Sequence, residues 1–104
     1  MDTQMKKGLL EVCVLKSIQN EESYGYQILA TVSPLIEITE STLYPILKRI
    51  ELSGYAQTHT AEFGGRLRKY YKITKEGIAR LELFKAEHLQ MEKIYAFLGV
   101  KENI

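Results

Sequence analysis

At Gly54 the chain changes its repeat, and this limits the possible folds more than any other feature. Before it, Leu43, Ile46, Leu47 and Ile50 follow the i, i+3, i+4, i+7 spacing of one helical face, and Gly54 is placed to end that helix with a left-handed cap. After it, residues 55–62 (YAQTHTAE) and 67–74 (LRKYYKIT) are β-prone runs around Phe63-Gly64-Gly65-Arg66, the pattern of a hairpin with a glycine turn. In that hairpin Tyr71 and Ile73 face inward, Arg68, Tyr70 and Lys72 take the opposite face, and Arg66 sits at the tip.

The helix before Gly54 carries chemistry on its outer side. At about 100° per residue, Ser41, Pro45, Lys48 and Leu52 fall opposite the apolar stripe, with Tyr44 and Arg49 on the flanks. Hydroxyls and adjacent cations on one face suit a groove lined with phosphates, whereas two cations alone would be an ordinary solvated face. Pro45 has no N–H to donate, so the spacing favours an N-cap at Ser41 or Thr42, with Thr39 and Glu40 in the approach. A start at Thr39 would demand a kink.

Upstream, residues 4–19 form a first helix with few polar positions in its middle, where Leu9, Leu10, Val12, Val14 and Leu15 cluster. One small domain covers only one side of such a helix, which points to a second subunit on the other. Ser23 is a natural N-cap for a second helix over residues 24–32, ended by Pro34. Gly25, between Tyr24 and Tyr26, suggests close approach to a neighbouring backbone. The two tyrosines suit either core packing or phosphate contact. Residues 35–38 alternate like a short extended piece. Two short helices, the second with an outward polar face, followed by a hairpin, make a winged helix-turn-helix. The fold class is therefore mainly α with a small β-hairpin wing, plus a C-terminal dimerisation helix.

Thr74 can cap that last helix, expected to run unbroken over residues 75–98 and to stop at Gly99. Leu81, Phe84, His88, Met91, Tyr95 and Leu98 follow a heptad seam, and Ile78, Leu89, Ile94 and Phe97 widen the apolar surface. We expect a homodimer joined through this seam and the first helix, with Leu10 and Val14 contributing and His88 as a polar register point. Residues 1–74 would form the DNA-binding domain, and residues 75–104 the dimerisation helix and tail.

Net charge is +1, but its distribution is uneven. Between residues 39 and 75 lie seven cations (Lys48, Arg49, Arg66, Arg68, Lys69, Lys72, Lys75) against Glu40, Glu51 and Glu62, a balance of +4. Clustering of this kind is the electrostatic footprint of phosphate binding. Enzyme chemistry is not suggested: His59 lies on an expected strand, His88 on the seam and Cys13 in a core helix, so no nucleophile–base pair forms. The same three residues fall short of a zinc cluster, and no metal or cofactor is expected. No stretch approaches the roughly 20 apolar residues of a membrane span, and the amino terminus has no secretory pattern, which leaves the cytoplasm as the expected compartment.

With these motifs in place, the chain resembles the PadR family of bacterial winged-helix transcriptional regulators. The resemblance is carried by Gly8-Leu9-Leu10-Glu11, Tyr24-Gly25-Tyr26, Thr42-Leu43-Tyr44-Pro45, Gly64-Gly65-Arg66-Leu67-Arg68-Lys69-Tyr70-Tyr71 and Thr74-Lys75-Glu76-Gly77. Leu67 stands where the family often has proline. The resemblance implies a homodimer that binds a palindromic double-stranded operator and represses a nearby gene. Carried over by position, the helix contacts are Ser41, Thr42, Tyr44, Pro45, Lys48 and Arg49, with Tyr24 and Tyr26 beside them. The wing contacts are Gly65, Arg66, Arg68 and Lys69. Some relatives of the smaller branch bind planar aromatic effectors between subunits. This chain has no tryptophan for such stacking, and Phe84, Met91 and Tyr95 suit a packed seam better than a pocket. The competing reading is a protein-interaction module on the same scaffold without DNA binding.

Overall fold

Leu10, Val14, Leu15 and Ile18 recur along one side of the first helix and are all fully buried. This helix, α1 (Thr3–Ser17), is the post against which the others pack. The computed structural model describes residues 1–100. After α1 come a short strand β1 (Ser23–Tyr24), α2 (Gly25–Val32), α3 (Glu40–Leu52), the hairpin β2 (Ala56–Phe63) and β3 (Arg66–Ile73), then α4 (Lys75–Gln90) and α5 (Glu92–Leu98). Ile28 and Val32 of α2, and Leu43, Leu47 and Ile50 of α3, close the core on α1, while Ala56 and Tyr71 seal it from the sheet. Leu81 of α4 joins the same core, so the expected seam residues Leu10, Val14 and Leu81 are at 2%, 0% and 4% exposure and face the protomer's own interior.

The sheet is antiparallel with order β1-β3-β2. Gly64 and Gly65, at φ of 58° and 81°, make the two-residue turn, and Phe63 pairs with Arg66 across it. Positive φ at both central positions is the turn whose twist matches the strands it joins. Ser23 pairs with Tyr71 and Tyr24 with Tyr70. This pairing corrects two expectations at once: Ser23 is a strand residue and not an N-cap, and the third strand lies here and not at residues 35–38, which leave a turn and run irregularly into α3. The exposed edge of β3 satisfies the backbone of Ser23 and Tyr24 better than a local cap would.

Two helix boundaries also differ from expectation. The N-cap of α3 is Thr39, not Ser41 or Thr42, and Pro45 lies inside the helix. The backbone N–H groups of Thr42 and Leu43 donate to the Thr39 carbonyl at 3.1 and 2.9 Å, and the Thr39 hydroxyl meets those of Ser41 (3.0 Å) and Thr42 (3.2 Å). Pro45 is on the exposed face, so the Ser41 carbonyl that lacks its donor can turn to water. The expected long C-terminal helix is interrupted at Met91, whose N–H is shared between the carbonyls of Glu87 (3.2 Å) and His88 (3.1 Å). The last four residues of the expected tail lie outside the described residues.

One small cluster joins α3, the hairpin and α4. Gly54, at φ 78°, ends α3 in a Schellman arrangement: Tyr55 N–H donates to Ile50 O at 2.8 Å and Gly54 N–H to Glu51 O at 3.1 Å. The Thr74 hydroxyl donates to the Gly54 carbonyl (2.6 Å) and accepts from Gly77 N–H (3.1 Å), capping α4. Tyr55 O accepts from Thr74 N–H at 3.0 Å, which closes the base of the hairpin. Gly77 has to be glycine, because a Cβ there would lie 2.2 Å from Tyr55 O and 2.7 Å from Ile73 Cγ1. Gly77→Ala should therefore destabilise the protein by about 1–3 kcal/mol or more, the range for overpacking, read as a drop in thermal midpoint. An unchanged midpoint would show that the cluster yields.

Candidate nucleic-acid interface

The exposed side of α3 and the hairpin face each other across a cleft of about 630 Å³. Its walls carry Tyr24 from β1, Tyr26 from the start of α2, Tyr44 from α3, and Arg66, Arg68 and Lys69 from β3, all expected contacts. Tyr26 and Tyr44 are 72% and 56% exposed, unusual for large aromatics with no partner to cover them. Gly25 faces the Tyr44 ring and hydroxyl, and a Cβ there would lie at ordinary contact distance from them, 3.5–3.6 Å. The close neighbour is thus a side chain and not the backbone expected from the sequence.

Ser41, Thr42, Pro45 and Lys48 extend the same exposed surface along α3, and Lys48 has no ion-pair partner among the described residues. Gly65 is at the hairpin tip beside Arg66. Arg49, also exposed, differs from Lys48 in pairing with Glu11 of α1 at 3.3 Å. Leu67, 78% exposed, lines the cleft beside Arg66. It was not among the expected contacts, because an apolar residue in a basic run gives no signal of its own.

Both faces of the hairpin are braced. On the side toward α3, Lys69 Nζ donates to Glu51 Oε1 (2.9 Å) and the Thr58 hydroxyl to Glu51 Oε2 (2.9 Å), tying the strands to the last turn of α3. On the other side the Arg68 guanidinium lies between the rings of Tyr24 and Phe63, 4.2 Å from each centroid. Tyr24 meets Tyr70 edge-on at 5.6 Å, His59 stacks on Tyr70 at 5.4 Å, and His59 Nε2 pairs with Glu22. Cation–π contacts at exposed sites contribute about 0.5–1 kcal/mol each. Together they stiffen the hairpin. Glu51, Thr58, Phe63 and Glu22 were not singled out by the sequence, since each becomes a support only once the strand register is known.

These contacts set the local protonation. The hydrogen bonds from Lys69 and Thr58 hold the Glu51 carboxyl below its ordinary range, and the bond to Glu51 raises Lys69. Burial raises the Tyr71 hydroxyl and the Cys13 thiol, so Cys13 is not an activated thiolate.

Residues 14–83, which cover most of the core, the hairpin and the first half of α4, match the Transcriptional regulator PadR-like family. The chain belongs to that family. Among solved structures, smu.1704 from Streptococcus mutans UA159 is 37% identical, with a TM-score of 0.79 and 94% of each chain covered. The PadR-like transcriptional regulator BC4206 of Bacillus cereus ATCC 14579 is 32% identical, with a TM-score of 0.80 over 96% of this chain and 100% of that one. Bacillus subtilis PadR in complex with operator DNA is 23% identical, with a TM-score of 0.68 over 73% of this chain and 46% of its own, and shares the fold. The hairpin of this PadR-like chain is the wing of a winged helix, and α2 and α3 are its helix-turn-helix.

The other end of this PadR-like regulator is apolar. A groove of about 960 Å³ runs between α1 and the α4–α5 arm, lined by Met5, Leu9, Phe84, His88 and Tyr95. Met91 joins Phe84, His88 and Tyr95 at its edge, where the His88 and Tyr95 rings are 5.7 Å apart. Phe97 and Leu98 are 89% and 66% exposed.

The bracing of the wing has a pH signature. A carboxyl whose folded pKa is depressed adds stability above its unfolded value, about 4.3 for Glu, and loses it as pH falls through the lower folded value. For the half-exposed Glu51–Lys69 pair that contribution is at most about 1 kcal/mol after solvent screening. Lys69→Met should lower the thermal midpoint near neutral pH and have a smaller effect at acid pH, once the pH falls through the lowered folded value of Glu51 and its carboxyl is neutralised. Equal losses at both pH values would contradict the pairing.

Proposed function

We propose that this chain is a dimeric transcriptional regulator, acting as a repressor, that binds a palindromic operator with α3 in the major groove and the wing on the flanking backbone. The observation that carries the proposal is the convergence of Tyr26, Tyr44, Lys48 and Arg66 on one open surface. Donor hydroxyls and unpaired cations spread over a helix face and an adjacent hairpin suit the repeating phosphates of a duplex better than a single small anion. Lys48, on the outermost line of α3, takes the base-reading role. Arg66 at the wing tip takes a backbone or minor-groove role, with Tyr26 and Tyr44 as hydroxyl donors to phosphate.

Dimerisation follows from the apolar end. Besides the groove between α1 and the arm, Leu89, Ile94, Phe97 and Leu98 on the same arm are exposed, and so much apolar surface exceeds what a small domain leaves open without a partner. A second copy fills it, and we assign the groove to subunit packing before any small aromatic effector. Symmetry then makes the operator palindromic.

Affinity for operator DNA should fall linearly on a log–log salt plot, with a slope of about 0.9 per phosphate neutralised. Arg66→Ala should weaken all sequences alike and reduce that slope by about 1, whereas Lys48→Ala should change the preferred base pairs. Absence of binding at low salt would contradict DNA recognition, and uniform losses from both substitutions would contradict the division of roles.

A further inference from the structure

We infer that Glu11 is a positioning residue that sets the separation at which the dimer presents its two α3 helices. The inference rests on the dimeric DNA-binding reading above. Glu11 is in the middle of α1, with its side chain only 15% exposed, and its two carboxylate oxygens face cations from two different helices. Oε2 lies 3.3 Å from Arg49 Nη2 of α3, and Oε1 lies 3.7 Å from Arg80 Nε of α4. Glu11 therefore links the helix that meets DNA to the helix that begins the dimer arm.

The direction of Arg49 supports this role. From its place on the α3 flank Arg49 could serve a phosphate, yet its guanidinium, 45% exposed, is paired with the α1 carboxylate. Arg80, 23% exposed, is more enclosed still, in surroundings where a pair is screened less than at the surface. Both guanidinium groups depend on one acid for neutralisation, so a change of tilt in α4 alters the same carboxylate that restrains α3. The arm of α4 and α5 has leverage. It is roughly 35 Å long at 1.5 Å per residue, and a tilt of about 5° at its root moves its far end by about 3 Å. That is nearly the rise of one base pair, so this contact can hold a half-site spacing.

The test compares affinities for two operators obtained by selection from random DNA, one at the preferred half-site spacing and one with a single base pair inserted between half-sites. The ratio of the two cancels any uniform change in binding, including one from releasing Arg49 onto a phosphate. Glu11→Gln keeps the shape and removes the charge. Arg80→Gln removes the arm's side of the link and keeps the test open should Glu11→Gln fail to fold, as judged by circular dichroism. In each folded variant the wild-type ratio should fall by more than about threefold, the scale of a coupling between linked sites. A ratio kept within about threefold in a folded variant would overturn the inference. Wild-type protein that binds neither operator would overturn the DNA-binding reading itself, a different result from spaced binding that ignores Glu11.

Discussion

The Thr74 hydroxyl, donating to the carbonyl of Gly54 and accepting from the N–H of Gly77, is the contact on which the placement of every functional element depends. Within a few residues of it α3 ends, the wing opens and closes, and α4 starts. A hydroxyl can donate and accept at once, and here both capacities are used on backbone groups at helix ends that would otherwise lack partners. Gly54 supplies the left-handed turn out of α3, and Gly77 lets the first turn of α4 press against the Tyr55 carbonyl. Because the three elements share this origin, the cleft between α3 and the wing is fixed by backbone contacts. Tyr26, Tyr44 and Arg66 on its walls stay exposed.

The charge of the middle segment divides in the same spirit. Of the cations that gave the sequence its basic centre, Arg49 and Lys69 are paired with Glu11 and Glu51, and Arg68 is held between two rings. Lys48 and Arg66 are exposed on the surface that faces outward. The paired cations orient the helix and stiffen the wing, and the open ones carry the field that a phosphate backbone would meet. Electrostatic counting on the sequence cannot make this division, because an ion pair between residues 38 positions apart leaves no local trace. In this structure Arg49, though 45% exposed, is paired with Glu11 of α1, whereas Lys48 beside it has no such partner among the described residues.

What the sequence made legible was mostly local. The helical spacing of Leu43, Ile46, Leu47 and Ile50, the two glycines of the wing turn and the Thr74 cap each express a short-range physical preference, and each is found in the fold. Readings failed where a distant partner decides, or where a local choice has no residue type that announces it. Ser23 looks like a cap until β3 offers its edge. Pro45 looks like a first-turn residue until the hydroxyls of Thr39, Ser41 and Thr42 gather one turn earlier. The interruption at Met91 has no glycine or proline to announce it, so the heptad pattern runs through it on paper. Leu10, Val14 and Leu81 carried the right apolar signal, but periodicity alone does not say whether the covering surface belongs to the same chain or to a second one.

The central claim is that two copies of one α3–wing surface meet a duplex in symmetric register. It is tested most directly by selecting bound sequences from a random double-stranded library with the purified protein. The account predicts enrichment of an inverted repeat whose half-site centres are separated by about one helical turn, 10–10.5 base pairs, or a multiple of it. Enrichment of an isolated, non-repeated site, or of no sequence at all, would contradict it.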